Sequence, residues 1–71
     1  MNQLDSIKAY ALTLKFHKLT NLMLLLCDGK FILKAVRWHD RYNHANVEWF
    51  LGYTLNDAKT TLDFIARHSN D

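Results

Sequence analysis

The chain has 71 residues, is 49% hydrophobic and 13% aromatic, and carries a formal net charge of +2 at pH 7. This length predicts one small domain over residues 1–71, with short disordered ends, near the lower limit for folding without disulfides. The apolar runs are too short to cross a membrane and the N-terminus lacks a signal-peptide pattern, so we expect a soluble cytoplasmic protein. The single cysteine, Cys27, permits no intrachain disulfide and is typical of a reducing compartment.

The N-terminal segment, residues 4–18, fits two patterns. On a helix, five apolar residues share one face: Leu4, Ile7, Tyr10, Ala11 and Leu14. Asp5 then lies early and Lys18 late, as the helix dipole favours. The same segment also alternates like a strand, with four larger apolar residues at every second position: Tyr10, Leu12, Leu14 and Phe16. We favour the helix, although it leaves Leu12 and Phe16 on its outer side.

Two apolar runs flank the dipeptide Asp28-Gly29 in "LLLCDGKFILKAV". Asp-Gly readily adopts the positive φ values of a two-residue hairpin turn, which predicts strands near residues 21–27 and 30–38. A short helix from Thr20, ending with Gly29 as its C-cap, is the alternative. The β-branched and aromatic residues downstream favour the hairpin.

The segment "GYTLNDAKTTLDFIARH" predicts the clearest helix, over residues 54–68. Thr54 is a suitable N-cap and Asp57 follows three residues later, close to a capping-box pattern. One face of this helix is apolar: Leu55, Ala58, Leu62, Ile65 and Ala66. Before it, "VEWFLGY" predicts a strand with one apolar side: Val47, Trp49, Leu51 and Tyr53.

Together these elements predict an α+β fold. A small antiparallel sheet of three or four strands packs against the C-terminal helix, and a further helix stands at the N-terminus. With no proline and two glycines in the chain, we expect no linker or second domain.

The octapeptide "GYTLNDAK", residues 52–59, is similar to the start of the last helix in two nucleic-acid-binding families. Double-stranded-RNA-binding domains have an α-β-β-β-α order and begin that helix with Ser or Thr, basic residues and then Ala-Lys, which Thr54, Ala58 and Lys59 match. Residues 55–57, Leu-Asn-Asp, stand where that family carries phosphate-contacting lysines. The arm-binding domains of phage-type integrases, three strands and a helix, resemble the same octapeptide. The resemblance covers about a tenth of the chain and implies a nucleic-acid-binding role without assigning membership.

The residue types needed for catalysis are not grouped in this sequence. Ser6 and Ser69 lie near the ends, Asp28 beside Cys27 disfavours a thiolate, and there is no glycine-rich phosphate loop. The candidate zinc ligands lack a diagnostic spacing: Cys27, His39, Asp40 and His44. We therefore predict a protein that is not an enzyme and has no cofactor and no metal.

The stretch "RWHDRYNH", residues 37–44, is the strongest candidate for a contact surface. Its two arginines can neutralise phosphates, while Trp38 and Tyr42 can stack on unpaired bases or anchor a protein interface. An ordinary connecting loop, with Asp40 paired to one of the arginines, is the alternative interpretation.

Phe64 falls off the apolar face of the last helix and should be partly exposed, which would suit a protein contact or a dimer interface. The predicted partner-binding residues are Lys34, Arg37, Trp38, Arg41, Tyr42, His44 and Phe64.

We predict a small binding or regulatory protein that occupies the surface of a macromolecular partner, a protein by first preference. Small domains of this inhibitor or adaptor type are common among phage and other mobile elements, which is an argument by analogy. A nucleic-acid-binding module that uses the same basic and aromatic residues is the alternative. A subunit that assembles with copies of itself is the third hypothesis.

Overall fold

A computed structural model describes residues 2–69 of the chain. The elements follow in the order α1 (Gln3–Ala11), β1 (Leu19–Cys27), β2 (Lys30–Trp38), β3 (His44–Gly52) and α2 (Leu55–His68). The strands form one antiparallel sheet in the order β1-β2-β3, and both helices cover the same face of it. This arrangement confirms the predicted α+β class, with three strands in the sheet.

The ends of the chain were predicted to be disordered. Residues 1, 70 and 71 lie outside the described residues. Asn2 and Ser69, in contrast, cap helices: Asn2 Oδ1 accepts a hydrogen bond from Asp5 N at 2.7 Å, and Ser69 N donates to Ile65 O at 2.9 Å. Both helix ends are therefore satisfied by residues directly beside them.

The helix predicted over residues 4–18 forms, but it ends at Ala11, and the strand alternative is wrong. Beyond the last helical residue, Thr13 Oγ1 donates to Tyr10 O at 2.7 Å. The chain then turns, which leaves Leu12 87% exposed and brings Phe16 against the core. The expectation that Phe16 lies on an outer helix face is therefore wrong.

The Asp28-Gly29 hairpin is confirmed, and the helix alternative is wrong. Asp28 has φ 50° and Gly29 has φ 76°, the two positive values that a type I′ turn requires. β1 begins two residues earlier than predicted, at Leu19. A bulge at Asn21, which has φ 55°, shifts the register there and lets the strand continue on both sides.

The core lies between the sheet and the two helices. Its members come from every element: Ile7, Leu19, Leu24, Phe31, Leu33, Ala35, Leu51, Ala58, Leu62 and Ile65. The apolar face predicted for α2 is buried as expected, and Thr54 is its N-cap, with Oγ1 accepting from Asp57 N at 3.1 Å.

One residue predicted to face inward does not. Tyr53 follows Gly52, whose φ of 128° redirects the chain at the end of β3, and its side chain is exposed. Its ring packs edge-on against Phe50, with centroids 5.1 Å apart. Gly52 is required here because an added Cβ would lie 2.7 Å from the Cβ of Asp57.

Within residues 2–69, no helix packs on the other face of the sheet, and we call it the open sheet face. It consists of the outward side chains of the three strands: Thr20, Met23, Leu25, Cys27, Lys30, Ile32, Lys34, Val36, Trp38, His44, Asn46, Glu48 and Phe50. Across residues 2–69, no helix has the length and apolar character needed to cross a membrane.

Candidate functional site

The centre of "RWHDRYNH" is the turn between β2 and β3. Asp40 organises this turn: its carboxylate accepts hydrogen bonds from Tyr42 N at 2.8 Å, from Asn43 N at 2.9 Å and from Asn43 Nδ2 at 2.7 Å. The backbone N–H of Tyr42, followed by the side-chain and backbone N–H groups of Asn43, lowers the pKa of Asp40 below its ordinary value of 3.8. Asp40 therefore supports the turn and does not pair with either arginine.

The seven predicted contact residues lie in three places. Lys34, Trp38 and His44 are on the open sheet face. Arg41 and Tyr42 form the exposed tip of the β2–β3 turn. Arg37 and Phe64 lie on the helix side, because Arg37 has the same parity along β2 as the buried Leu33. The structure thus brings together some of these residues and separates others by the thickness of the sheet.

Trp38 is fastened to the open sheet face by two neighbours. Its Nε1 donates to Thr20 Oγ1 at 2.9 Å, and its ring lies 4.6 Å from the ring of His44. Nearer the middle of the face, Lys34 Nζ lies 3.8 Å from Glu48 Oε1, and both side chains are exposed. Such an exposed pair contributes little to stability and leaves both charges accessible to a partner.

The sequence analysis missed the apolar part of the open sheet face. Met23 is 55% exposed and Phe50 is 53% exposed, and the half-buried side chains of Leu25 and Ile32 adjoin them. Apolar residues at every second position of a strand would predict such a face. The long apolar runs of β1 and β2 hid this signal, because they contain apolar residues at both parities.

A cleft of about 330 Å³ opens on the helix side, where the end of β2 meets the C-terminal turns of α2. We call it the basic cleft. Among the residues that the structure describes, its lining combines cationic, imidazole and aromatic side chains with no aspartate or glutamate: His17, Lys18, Leu19, Arg37, Trp38, His39, Trp49, Phe64, Ile65, His68 and Ser69. Two of the predicted residues, Arg37 and Phe64, meet here, and Trp38 borders the cleft at the end of β2.

Two long-range hydrogen bonds hold the walls of the basic cleft together. His17 N donates to Ser69 Oγ at 3.0 Å, and Trp38 N donates to Lys18 O at 2.7 Å. Lys18 itself has φ 64°, a backbone region that lysine rarely adopts. Lys18, Trp49, His17 and His68 were not predicted as site residues, because their positions along the chain carry no motif.

The candidate catalytic and metal-binding residues do not come together. Cys27 lies at the hairpin end of β1, whereas His44 pairs with Trp38 at the opposite end of the sheet. Ser6 Oγ and Ser69 Oγ both donate to backbone carbonyls, of Asn2 and Ala66 respectively. In the part of the chain that the structure describes, no three metal-ligating residues are grouped.

Fold and site define a small α+β domain with one uncovered sheet face and one basic cleft. Comparison of the chain with known protein families, with curated proteins and with solved structures finds no match. The open sheet face and the basic cleft are therefore the two features of the molecule that bear on its function.

Proposed function

We propose that this chain is a non-enzymatic binding protein that occupies the surface of a macromolecular partner, and that the partner is a protein contacting the open sheet face. The observation that carries the proposal is the exposure of Met23 and Phe50 beside the half-buried Leu25 and Ile32. Large contiguous apolar patches on small proteins mark contact sites, because their burial is favourable and their exposure costs free energy.

The size of the face supports a small, flat interface. Three strands of nine residues cover roughly 30 by 14 Å, or about 400 Å². The exposed turn tip with Tyr42, together with Tyr53 beside Phe50, extends this area. A standard protein interface buries about 800 Å² on each partner, so the face, at about half that area, suits a small contact. The partner surface is accordingly apolar opposite Phe50 and Trp38, which act as anchors, and polar opposite the Lys34–Glu48 pair.

The proposal includes a reducing compartment, the cytoplasm. It is supported by Cys27, which is exposed and free. An exposed thiol is typical of proteins that are kept reduced.

Site-specific photocrosslinking in cells that express the chain tests the protein partner. A photoreactive phenylalanine analogue at Phe50 should give one discrete protein adduct, and Met23→Asp should abolish it. The same analogue at Thr60, exposed on α2, is the matched control and should give no adduct. Equal crosslinking at both positions contradicts the proposal, and an adduct with the chain itself would favour the assembly hypothesis.

A second candidate, nucleic-acid binding, is favoured by one specific observation: the part of the basic cleft formed by residues 2–69 contains Lys18 and Arg37 and no acidic residue. Phosphate contacts release counterions, so the affinity for nucleic acid must fall steeply as the salt concentration rises. Binding of labelled single-stranded and duplex nucleic acid at two salt concentrations tests this candidate. An apolar protein contact would depend on salt much less.

A further inference from the structure

Within residues 2–69, the formal charge of the basic cleft is positive. Lys18 and Arg37 contribute +2, and the described lining contains no carboxylate. The acidic residues next to the lining are engaged elsewhere: Asp40 holds the β2–β3 turn, and Asp63 pairs with Arg67 at 3.0 Å. Within residues 2–69, neither Lys18 nor Arg37 forms an ion pair. A cleft of this charge selects an anion.

Aromatic rings form the opposite part of the same cleft. Trp49 is half-buried and follows the inward parity of β3, and Phe64 is 59% exposed on α2. The His68 ring stacks against part of one face of the Phe64 ring, with centroids 4.0 Å apart and a tilt of 39°. Rings arranged in this way accept the face of a nucleobase, because base–aromatic stacking requires no specific hydrogen bonds.

The backbone of Lys18 is a further sign of a ligand-facing role. Its φ of 64° is accessible to glycine without cost but is strained for a lysine. Its carbonyl accepts the 2.7 Å hydrogen bond from Trp38 N, which holds the residue beside the end of β2. A functional need for the positive charge of Lys18 would explain why a lysine occupies this position instead of glycine.

We propose that the basic cleft binds one nucleotide unit, with the phosphate on Lys18 and Arg37 and the base against Phe64 and Trp49. The volume of about 330 Å³ lies at the small end of the range for ligand sites, which suits one such unit. The inference rests on the second candidate function and sharpens it. A free nucleotide and an unpaired nucleotide of a strand share this chemistry, and the experiment separates the two.

Isothermal titration calorimetry at physiological salt tests the site with four probes: adenosine 5′-monophosphate, adenosine, inorganic phosphate and a short oligodeoxythymidylate. We expect the monophosphate to bind more tightly than either adenosine or phosphate. Equal affinity for phosphate and the monophosphate would overturn the role of the aromatic rings. Absence of binding by all four probes would overturn the site.

Substitutions in the cleft identify which residues contact the phosphate and which contact the base. Arg37→Gln and Lys18→Gly should each weaken the monophosphate about tenfold, the loss typical of one charge-assisted hydrogen bond. Phe64→Leu should weaken the monophosphate and adenosine but not phosphate. Lys8→Gln, on α1 and outside the lining, is the matched control and should stay within about twofold of the wild type. Circular dichroism checks each fold, and Lys18→Gly keeps the test valid if Arg37→Gln fails to fold.

Oligonucleotide binding distinguishes the proposed nucleotide site in the cleft from the proposed nucleic-acid-binding function. If the monophosphate binds and the oligonucleotide does not, the site stands with a free nucleotide as its ligand, and the nucleic-acid candidate fails. If the oligonucleotide binds equally well to the wild type and to Arg37→Gln, the nucleic-acid candidate stands and the cleft proposal is overturned. If Arg37→Gln and Lys18→Gly each weaken oligonucleotide binding, the result supports the nucleotide site and the nucleic-acid candidate together.

Discussion

The backbone N–H of His17 donates a hydrogen bond to Ser69 Oγ at 3.0 Å, across 52 positions of the chain. The Ser69 hydroxyl in turn donates to Ala66 O at 2.8 Å. These two bonds join the connection before β1 to the end of α2. Because both residues line the basic cleft, the same contact closes the fold at this end and sets the distance between the cleft walls.

Ser69→Ala should lower the free energy of unfolding by about 1 kcal/mol, because both bonds are lost together. Urea denaturation followed by tryptophan fluorescence measures the change. Ser6→Ala is the control, since the Ser6 hydroxyl makes one longer bond, 3.4 Å to Asn2 O. It should change the free energy of unfolding by less than about 0.5 kcal/mol. Equal effects of the two substitutions would contradict a special role for Ser69.

Lys18→Gly should stabilise the fold. A left-handed backbone costs a non-glycine residue roughly 1–2 kcal/mol, whereas glycine adds about 0.5–1 kcal/mol of unfolded-state entropy. The free energy of unfolding should therefore rise by about 0.5–1 kcal/mol, measured by urea denaturation. Lys15→Gly, in the same connection but without a positive φ, should not raise it. A loss of stability in Lys18→Gly would show that the lysine side chain supports the fold.

Gly52→Ala should destabilise the protein more than Gly29→Ala. Both glycines have positive φ, but only at Gly52 does an added Cβ collide, 2.7 Å from the Cβ of Asp57. Because that atom is fixed to the first turn of α2, the helix must shift. We expect a loss of about 2–4 kcal/mol at Gly52, against about 1 kcal/mol at Gly29. Thermal unfolding of the two variants side by side checks the order, and a reversed order would contradict it.

Asp40→Ala should lower the melting temperature at pH 7, because three hydrogen bonds to the turn are lost. These bonds hold the pKa of Asp40 below its ordinary value of 3.8. The carboxylate therefore stabilises the fold above that value, and its contribution disappears as the pH falls through the lower folded-state pKa. The difference between wild type and variant should shrink below about pH 3.8.

Asp40→Asn provides the control for that measurement. It keeps one acceptor oxygen but cannot titrate, so its deficit at pH 7 should be smaller than that of the alanine variant. A gap between wild type and Asp40→Ala that is constant from pH 7 to pH 2 would contradict the role of the ionised carboxylate.

The elements that were predicted correctly are those with local signals. Thr54 and Asp57 mark the start of α2, and the Asp28-Gly29 pair marks the first hairpin. The end of α1 had no comparable signal. The apolar helical pattern continues to Leu14, although the helix ends at Ala11. The position of the helix end depends on the packing of Phe16 against the core.

The candidate site was only partly predictable. "RWHDRYNH" looks like one cluster along the chain, but successive strand residues point to opposite faces, so Arg37 and Trp38 start on different sides of the sheet. Phe64 was correctly expected to be exposed. Its meeting with Arg37 in the basic cleft depends on how α2 crosses β3, which no local pattern specifies.

The sequence by itself determined the class of fold, the second helix, the first hairpin and the residue types available for contact. Turns, caps and apolar periodicity arise from interactions within a few residues, and these are legible along the chain. The tertiary structure alone decided which sheet face stays uncovered and which cations share a cleft. Those choices follow from packing between residues as distant as His17 and Ser69, where the burial of shared apolar surface outweighs local preference.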